Sequence, residues 1–141
     1  TLNTICQMQR KGVKMDNYSS VLTLTKMVFD KIEFERKGFK NENELKFRLQ
    51  VQIGKNRNSA YKVTLVLEGD KKDEYELQIS LTGFFEIQNS DELSDSTVQA
   101  LIEKNAVAIL MPYLRSEVTL LTAQPETDSV VLPTFNINKL F

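Results

Sequence analysis

Residues 45–53 read Leu45-Lys46-Phe47-Arg48-Leu49-Gln50-Val51-Gln52-Ile53, apolar and polar side chains in strict alternation. Successive side chains of a strand point to opposite faces, so this stretch has one apolar and one wet face. That is the pattern of a half-buried antiparallel strand. The same period returns downstream. Tyr61, Val63, Leu65 and Leu67 alternate up to the turn-prone pair Gly69-Asp70, after polar residues 54–59 that read as a turn. Tyr75, Leu77, Ile79 and Leu81 continue it through Gly83-Phe84-Phe85 to Ile87. Upstream, the pairs Leu22/Leu24, Met27/Phe29 and Ile32/Phe34 alternate with a phase that slips twice. A strand whose face flips in that way carries a bulge or a break. Lys37 to Asn43, charged and containing Gly38, reads as the turn after it. Four strands on short connections predict an antiparallel sheet, with meander and Greek-key orders both open.

After Asn89 the period changes. Asp91 to Ser96 offers carboxylates and hydroxyls suited to a helix N-terminus. Val98, Leu101 and Ile102 follow at helical spacing, and a second face runs Val107, Leu110, Leu114, Val118, Leu121. Pro112 lies inside this pattern and cannot donate to the helical ladder, which predicts a kink or a divided helix between Asn105 and Pro112. Residues 122–135 have no period, yet contain Val130-Val131-Leu132. The predicted fold class is α+β, a four-stranded antiparallel sheet with helices packed on one face. One domain over residues 1–141 is expected, with a loosely attached arm at 1–20 and a long loop at 122–135.

The chain has 141 residues, 41% hydrophobic and 26% charged, an ordinary globular composition. Its net charge of −1 gives no electrostatic footprint for nucleic acid. Residues 1–40 hold eight Lys/Arg against four Asp/Glu, which reads as two solvated surfaces of one domain rather than a partner signal. The one cysteine, Cys6, excludes an internal disulfide framework and fits a reducing compartment. The longest apolar run, Ala106 to Met111, is far short of the ~20 residues that span a bilayer. No signal-peptide pattern follows Arg10, Lys11 and Lys14. Cytoplasmic localisation is the expectation.

Catalytic chemistry finds little to work with. The chain has no histidine, the commonest general base and metal ligand, and one cysteine cannot build a thiolate metal site. None of its five glycines forms a phosphate-binding fingerprint. The acidic group Asp91, Glu92, Asp95 reads better as a helix start than as a carboxylate site. A non-enzyme without metal or cofactor is expected. The apolar features point instead to binding. Phe84 and Phe85 are adjacent on a strand, so one faces the helix layer and the other the opposite sheet face, in a groove or a subunit contact. Val130, Val131, Leu132 and Phe135 either contact a ligand chain or fold back on the helices.

The C-terminal stretch 105–141 carries a resemblance. Met111-Pro112-Tyr113 within an apolar helix, the long loop after it, Phe135 to Phe141, and Gly83-Phe84-Phe85-Glu86-Ile87 at a strand end resemble the SecB family of protein-export chaperones. The resemblance implies an α+β subunit that assembles as a dimer of dimers, a homotetramer, and holds unfolded preproteins in apolar grooves without ATP or cofactor. It makes residues 122–135 a crossover loop, Phe84, Phe85, Val130, Val131, Leu132 and Phe135 client-groove residues, and Leu77, Ile79 and Leu81 subunit contacts. The resemblance places the family's acidic contacts to the SecA ATPase on Lys31, Glu35 and Gln78, of which only Glu35 keeps its charge, and a subunit without the family's acidic tail is expected. A second branch protects aggregation-prone antitoxins and needs no SecA. The expected function is therefore an ATP-independent holdase for export or antitoxin clients. The alternative is a small-ligand module of hot-dog or NTF2-like type, which needs a closed apolar pocket.

Overall fold

The computed structural model describes residues 22–55, 60–88 and 94–134. Four strands, β1 (Leu22–Arg36), β2 (Leu45–Lys55), β3 (Ala60–Lys71) and β4 (Tyr75–Ile87), precede a helical segment. This segment comprises α1 (Asp95–Leu101), a π-helical turn (Ile102–Ala106) and α2 (Val107–Thr122). The fold class is the expected one. The sheet order is β1-β4-β3-β2 with every neighbouring pair antiparallel. β2, β3 and β4 follow one another as hairpins while β1 returns beside β4, a Greek key run in the opposite chain direction.

The phase slips of β1 are two bulges. Register shifts between Leu24 and Lys26 and between Phe29 and Lys31 leave Thr25 and Asp30 as extra residues. Each slip keeps the next apolar pair on the helix side. Gly69-Asp70 does not turn. β3 runs on to Lys71, and the hairpin is made by Lys72 to Glu74 with Asp73 in the left-handed region at φ 64°. Gly69 instead makes room for Leu77 and Phe47, which an added Cβ would meet at 3.0 and 3.3 Å.

Lys37 to Glu44 is not a hairpin turn either. It crosses the sheet end from β1 to β2, and Glu74 holds it there. The Lys37 and Gly38 amides donate to the Glu74 carbonyl at 2.8 and 3.1 Å, and the Asn41 amide to Glu74 Oε1 at 2.8 Å. Asn41 and Asn43 side chains both donate to the Lys72 carbonyl. An added Cβ on Gly38 would lie 2.2 Å from the Asp73 carbonyl oxygen, so only glycine allows this approach.

The helical segment starts at Ser94, whose hydroxyl accepts from the Thr97 amide at 3.2 Å. Val98, Ile102 and Ala106 form its first buried stripe, and Val107, Leu110, Leu114 and Val118 its second. The π-helical turn inserts the one residue that moves the stripe between these phases. The interruption thus overlaps only the start of the expected range Asn105–Pro112. Pro112 itself stays within α2 with its ring exposed. α2 packs chiefly on β3 and β4 and the π turn on β1. The core between them contains Val63, Leu65, Leu67, Ile79 and Leu81, all fully buried. Gly83 permits the close approach: a Cβ there would sit 2.7 Å from Leu110 Cδ2.

Candidate functional site

Leu45, Phe47, Leu49, Val51 and Ile53 of β2 and Tyr61, Val63, Leu65 and Leu67 of β3 share one face with Leu77, Ile79, Leu81 and Phe85, because directly paired residues lie on the same side; Val66, paired with Gln50 and Ser80, lies on the other. A single helical layer cannot cover four strands of such a face. The middle strands are sealed, while Leu45, Phe47, Leu49, Val51 and Ile53 on β2 are only partly buried. On β1, Met27, Phe29 and Phe34 are partly buried and Ile32 is 45% exposed. The layer therefore leaves two apolar flanks, each beside a sheet edge.

The two edges differ. β1 is broken by bulges and carries Asp30, Lys31, Glu33, Glu35 and Arg36, features that discourage strand addition. β2 pairs with β3 in unbroken register over its whole length and has no proline and no acidic residue. Among the described residues it thus presents a regular edge of unpaired backbone groups next to an apolar face, with Lys46, Arg48, Gln50 and Gln52 on the other side.

Residues 123–134 form a strap that turns back along α2. At its start, the amide of Ala123 donates to the Leu120 carbonyl, and Glu126 takes a left-handed φ of 55°. Two helix threonines hold its far half. The Thr119 hydroxyl donates to the Val130 carbonyl at 2.8 Å, and the Val130 amide donates to the Thr122 hydroxyl at 2.9 Å. Leu132, 1% exposed, enters the core, and between these anchors Val131 is turned outward and is 72% exposed. Pro112, Arg115, Ser116, Thr119 and Val131 line an open cleft of about 400 Å³ between α2 and the strap. Near its turn the strap is tied to the β1–β2 crossing by Arg36 with Thr127 and by a Lys40–Asp128 ion pair at 2.8 Å. The hydrogen bond and charge of this pair raise the pKa of Lys40 and lower that of Asp128.

The crossing is anchored by an ionic group that the sequence does not announce. Glu74 is fully buried, with Lys71 Nζ at 2.8 Å from Oε1 and Oε2 unpartnered among the described residues. Burial pushes its carboxyl up. The Lys71 hydrogen bond, the Asn41 amide and the charges of Lys71 and Arg36 outweigh this and hold it below the ordinary value. Burial, with Glu74 adjacent, raises the Tyr75 hydroxyl.

The residues singled out by sequence separate. Phe84 lies on the outer sheet face beneath Lys26 Nζ, 4.9 Å from the ring centroid. Phe85 is buried under the helices and offers no groove wall. Val130 is half-buried and Val131 exposed, whereas Leu132 is a core anchor. Phe135 lies outside the described residues. Leu77, Ile79 and Leu81 are buried in the chain's own core, so they have no surface left for a subunit contact; the resemblance misplaces them because their face is the helix face. Glu35 is exposed on the outer face, opposite Glu76, while Lys31 donates to Gln78 at 3.1 Å and pairs with Glu33 at 3.2 Å. The β2 flank was missed as a site. Its alternation was plain, but its open position depends on strand order. Exposed Phe39, 87%, and Leu120 also carried no periodic signal.

The four-stranded antiparallel sheet under one helical layer is similar in fold to a solved SecB-like chaperone. The Mycobacterium tuberculosis Rv1957 SecB-like chaperone, solved in complex with a ChAD peptide from the Rv1956 HigA1 antitoxin, superimposes with a TM-score of 0.64. The match covers 82% of this chain and 91% of that one, at 14% identity. The chain belongs to the family of the uncharacterized protein MJ0357 of Methanocaldococcus jannaschii. It is 34% identical to that protein over 107 residues, 68% of this chain and 67% of MJ0357. A protein of unknown function from Streptococcus agalactiae aligns over 83% of this chain and all of its own, at 12% identity and a TM-score of 0.46. No family model matches the chain. No helix among the described residues is long and apolar enough to cross a membrane.

Proposed function

We propose that this protein is an ATP-independent holdase that keeps extended, apolar segments of unfolded client chains from aggregating. One observation carries the proposal: the apolar face of β2 is incompletely covered and lies beside a regular strand edge that is unpaired among the described residues. An unfolded chain exposes apolar side chains and unpaired backbone groups together. The β2 flank offers a counterpart to each, apolar surface for the side chains and edge amides and carbonyls for the backbone. The cleft between α2 and the strap, with Val131 and Pro112 in its lining, is a second surface in this reading. Binding of this kind is broad and reversible, because any segment with apolar side chains in alternation fits.

Assembly into a homotetramer, a dimer of dimers, belongs to the proposal, since repeating a weak site raises avidity for one long client. Among clients, an antitoxin-like chain is favoured over export preproteins. The solved structure of similar fold contains an antitoxin peptide, and here a single acidic residue, Glu35, stands among three positions aligned with the family's SecA contacts. Phe84 and Phe135 remain proposed client contacts. The clefts described are open rather than enclosed, which counts against the small-ligand alternative. The test is light scattering from a denatured, aggregating reporter protein, with mass analysis of this chain by size exclusion. Suppression without ATP by a tetramer is expected. A well-folded monomer that leaves aggregation unchanged would remove the proposal.

A further inference from the structure

Pro112, Arg115, Ser116 and Thr119 sit at helical spacings of three, one and three, so they form one stripe of α2 facing the outward-turned Val131 across the cleft. Arg115 is the one charged residue among those five. Within the described residues no carboxylate lies within 4.0 Å of its guanidinium. The cations that the strap itself contacts are matched differently: Lys40 has Asp128, and Arg36 has the Thr127 hydroxyl. Glu117, the nearest acid in sequence, is two residues along and therefore off this stripe. With Val130 bonded to α2 through both its amide and its carbonyl, the backbone of Val131 has no hydrogen-bond partner among the described residues. The cleft thus combines apolar walls, the unpartnered backbone of Val131, the Ser116 hydroxyl and one cation, the Thr119 hydroxyl being taken by Val130.

We propose that this cleft selects client segments in which an apolar side chain is flanked within a residue or two by a carboxylate, with Arg115 reading the acid. The inference rests on the holdase reading above and gives it a substrate class, an extended acidic–apolar segment. A guanidinium binds a carboxylate through paired, charge-assisted hydrogen bonds, and the apolar neighbour of that carboxylate then falls between Val131 and Pro112. Bulk electrostatics does not produce the same preference, because the chain's net charge of −1 attracts no acidic peptide in general.

The test uses three labelled peptides with one alternating apolar core, flanked by Glu, by Gln or by Lys. Binding to the full chain is followed by fluorescence anisotropy. The Glu peptide is expected to bind about fivefold more tightly than the Lys peptide at low salt, the upper range of an exposed ion pair. The ratio narrows as salt is added. Arg115→Gln abolishes the ratio and Arg115→Glu inverts it. Arg115 is partly exposed, so neither substitution disturbs the core. Equal binding of Glu and Lys peptides, or a preference that Arg115→Gln retains, overturns the assignment. Where the Gln peptide binds without any charge preference, this inference fails and the holdase reading stands. If none of the three binds, both fail together.

Discussion

Replacing Leu132 by alanine separates what holds the strap from what holds the domain. Leu132 is the strap's one fully buried side chain, and burying a leucine stabilises by about 1.5–3 kcal/mol. The two hydrogen bonds between Val130 and the threonines of α2 add about 1 kcal/mol each, and the exposed Lys40–Asp128 pair adds little. Leu132 therefore supplies roughly half of the docking energy. Leu132→Ala removes about 2 kcal/mol from strap closure, which raises the exchange rate of the Val130 amide about thirtyfold. The sheet beneath does not depend on the strap for its ladder, so the amides of β4 keep their protection. Native-state hydrogen exchange by NMR reads both. An unchanged Val130 rate shows that the anchor lies elsewhere. Equal acceleration of Val130 and Ile79 shows that strap and sheet open as one unit, and the reasoning fails.

Gly38→Ala drives a Cβ into the Asp73 carbonyl, which is backbone and cannot swing aside, and is expected to lower the urea midpoint by an amount equivalent to about 1–3 kcal/mol. Glu74 has a folded-state pKa below its ordinary 4.5, so its contribution is present above that value and is lost as pH falls through the lowered one. Urea titrations across the acid range should therefore show a downward slope that Glu74→Gln flattens; an identical slope in the variant contradicts this. Val51→Lys places a charge on the open β2 flank and should reduce aggregation suppression several-fold, with far-ultraviolet circular dichroism unchanged. Suppression as strong as the parent's would move the binding surface off β2.

Much of this molecule was legible where a local period decides structure. The alternation of 45–53, 61–67 and 75–81 placed three strands. The two phase slips of β1 pointed to a bulge or a break, and the register places bulges at Thr25 and Asp30, which keep Leu24, Phe29 and Phe34 on the same face. Pro112 led to the expectation of an interrupted helix, but the interruption is the π-helical turn at Ile102–Ala106 and Pro112 stays within α2. What was not legible is set by distant chain. Gly69-Asp70 has the composition of a turn, but pairing with β2 and β4 carries the strand through it. The strand order puts Leu77, Ile79 and Leu81 in the centre of the sheet and β2 at its edge, which reverses their apparent roles. Glu74 reads as one more charged turn residue. Only the crossing of Lys37 to Glu44 over the β3–β4 hairpin makes it a buried anchor.

In the proposed function an unfolded client lies on the β2 flank. Hydrogen–deuterium exchange of this protein with and without a denatured client tests it most directly, read segment by segment. Slowed exchange is expected to concentrate in residues 45–55, with a smaller effect at 128–134. Protection confined to β1 or to the outer sheet face, with 45–55 unchanged, would contradict it.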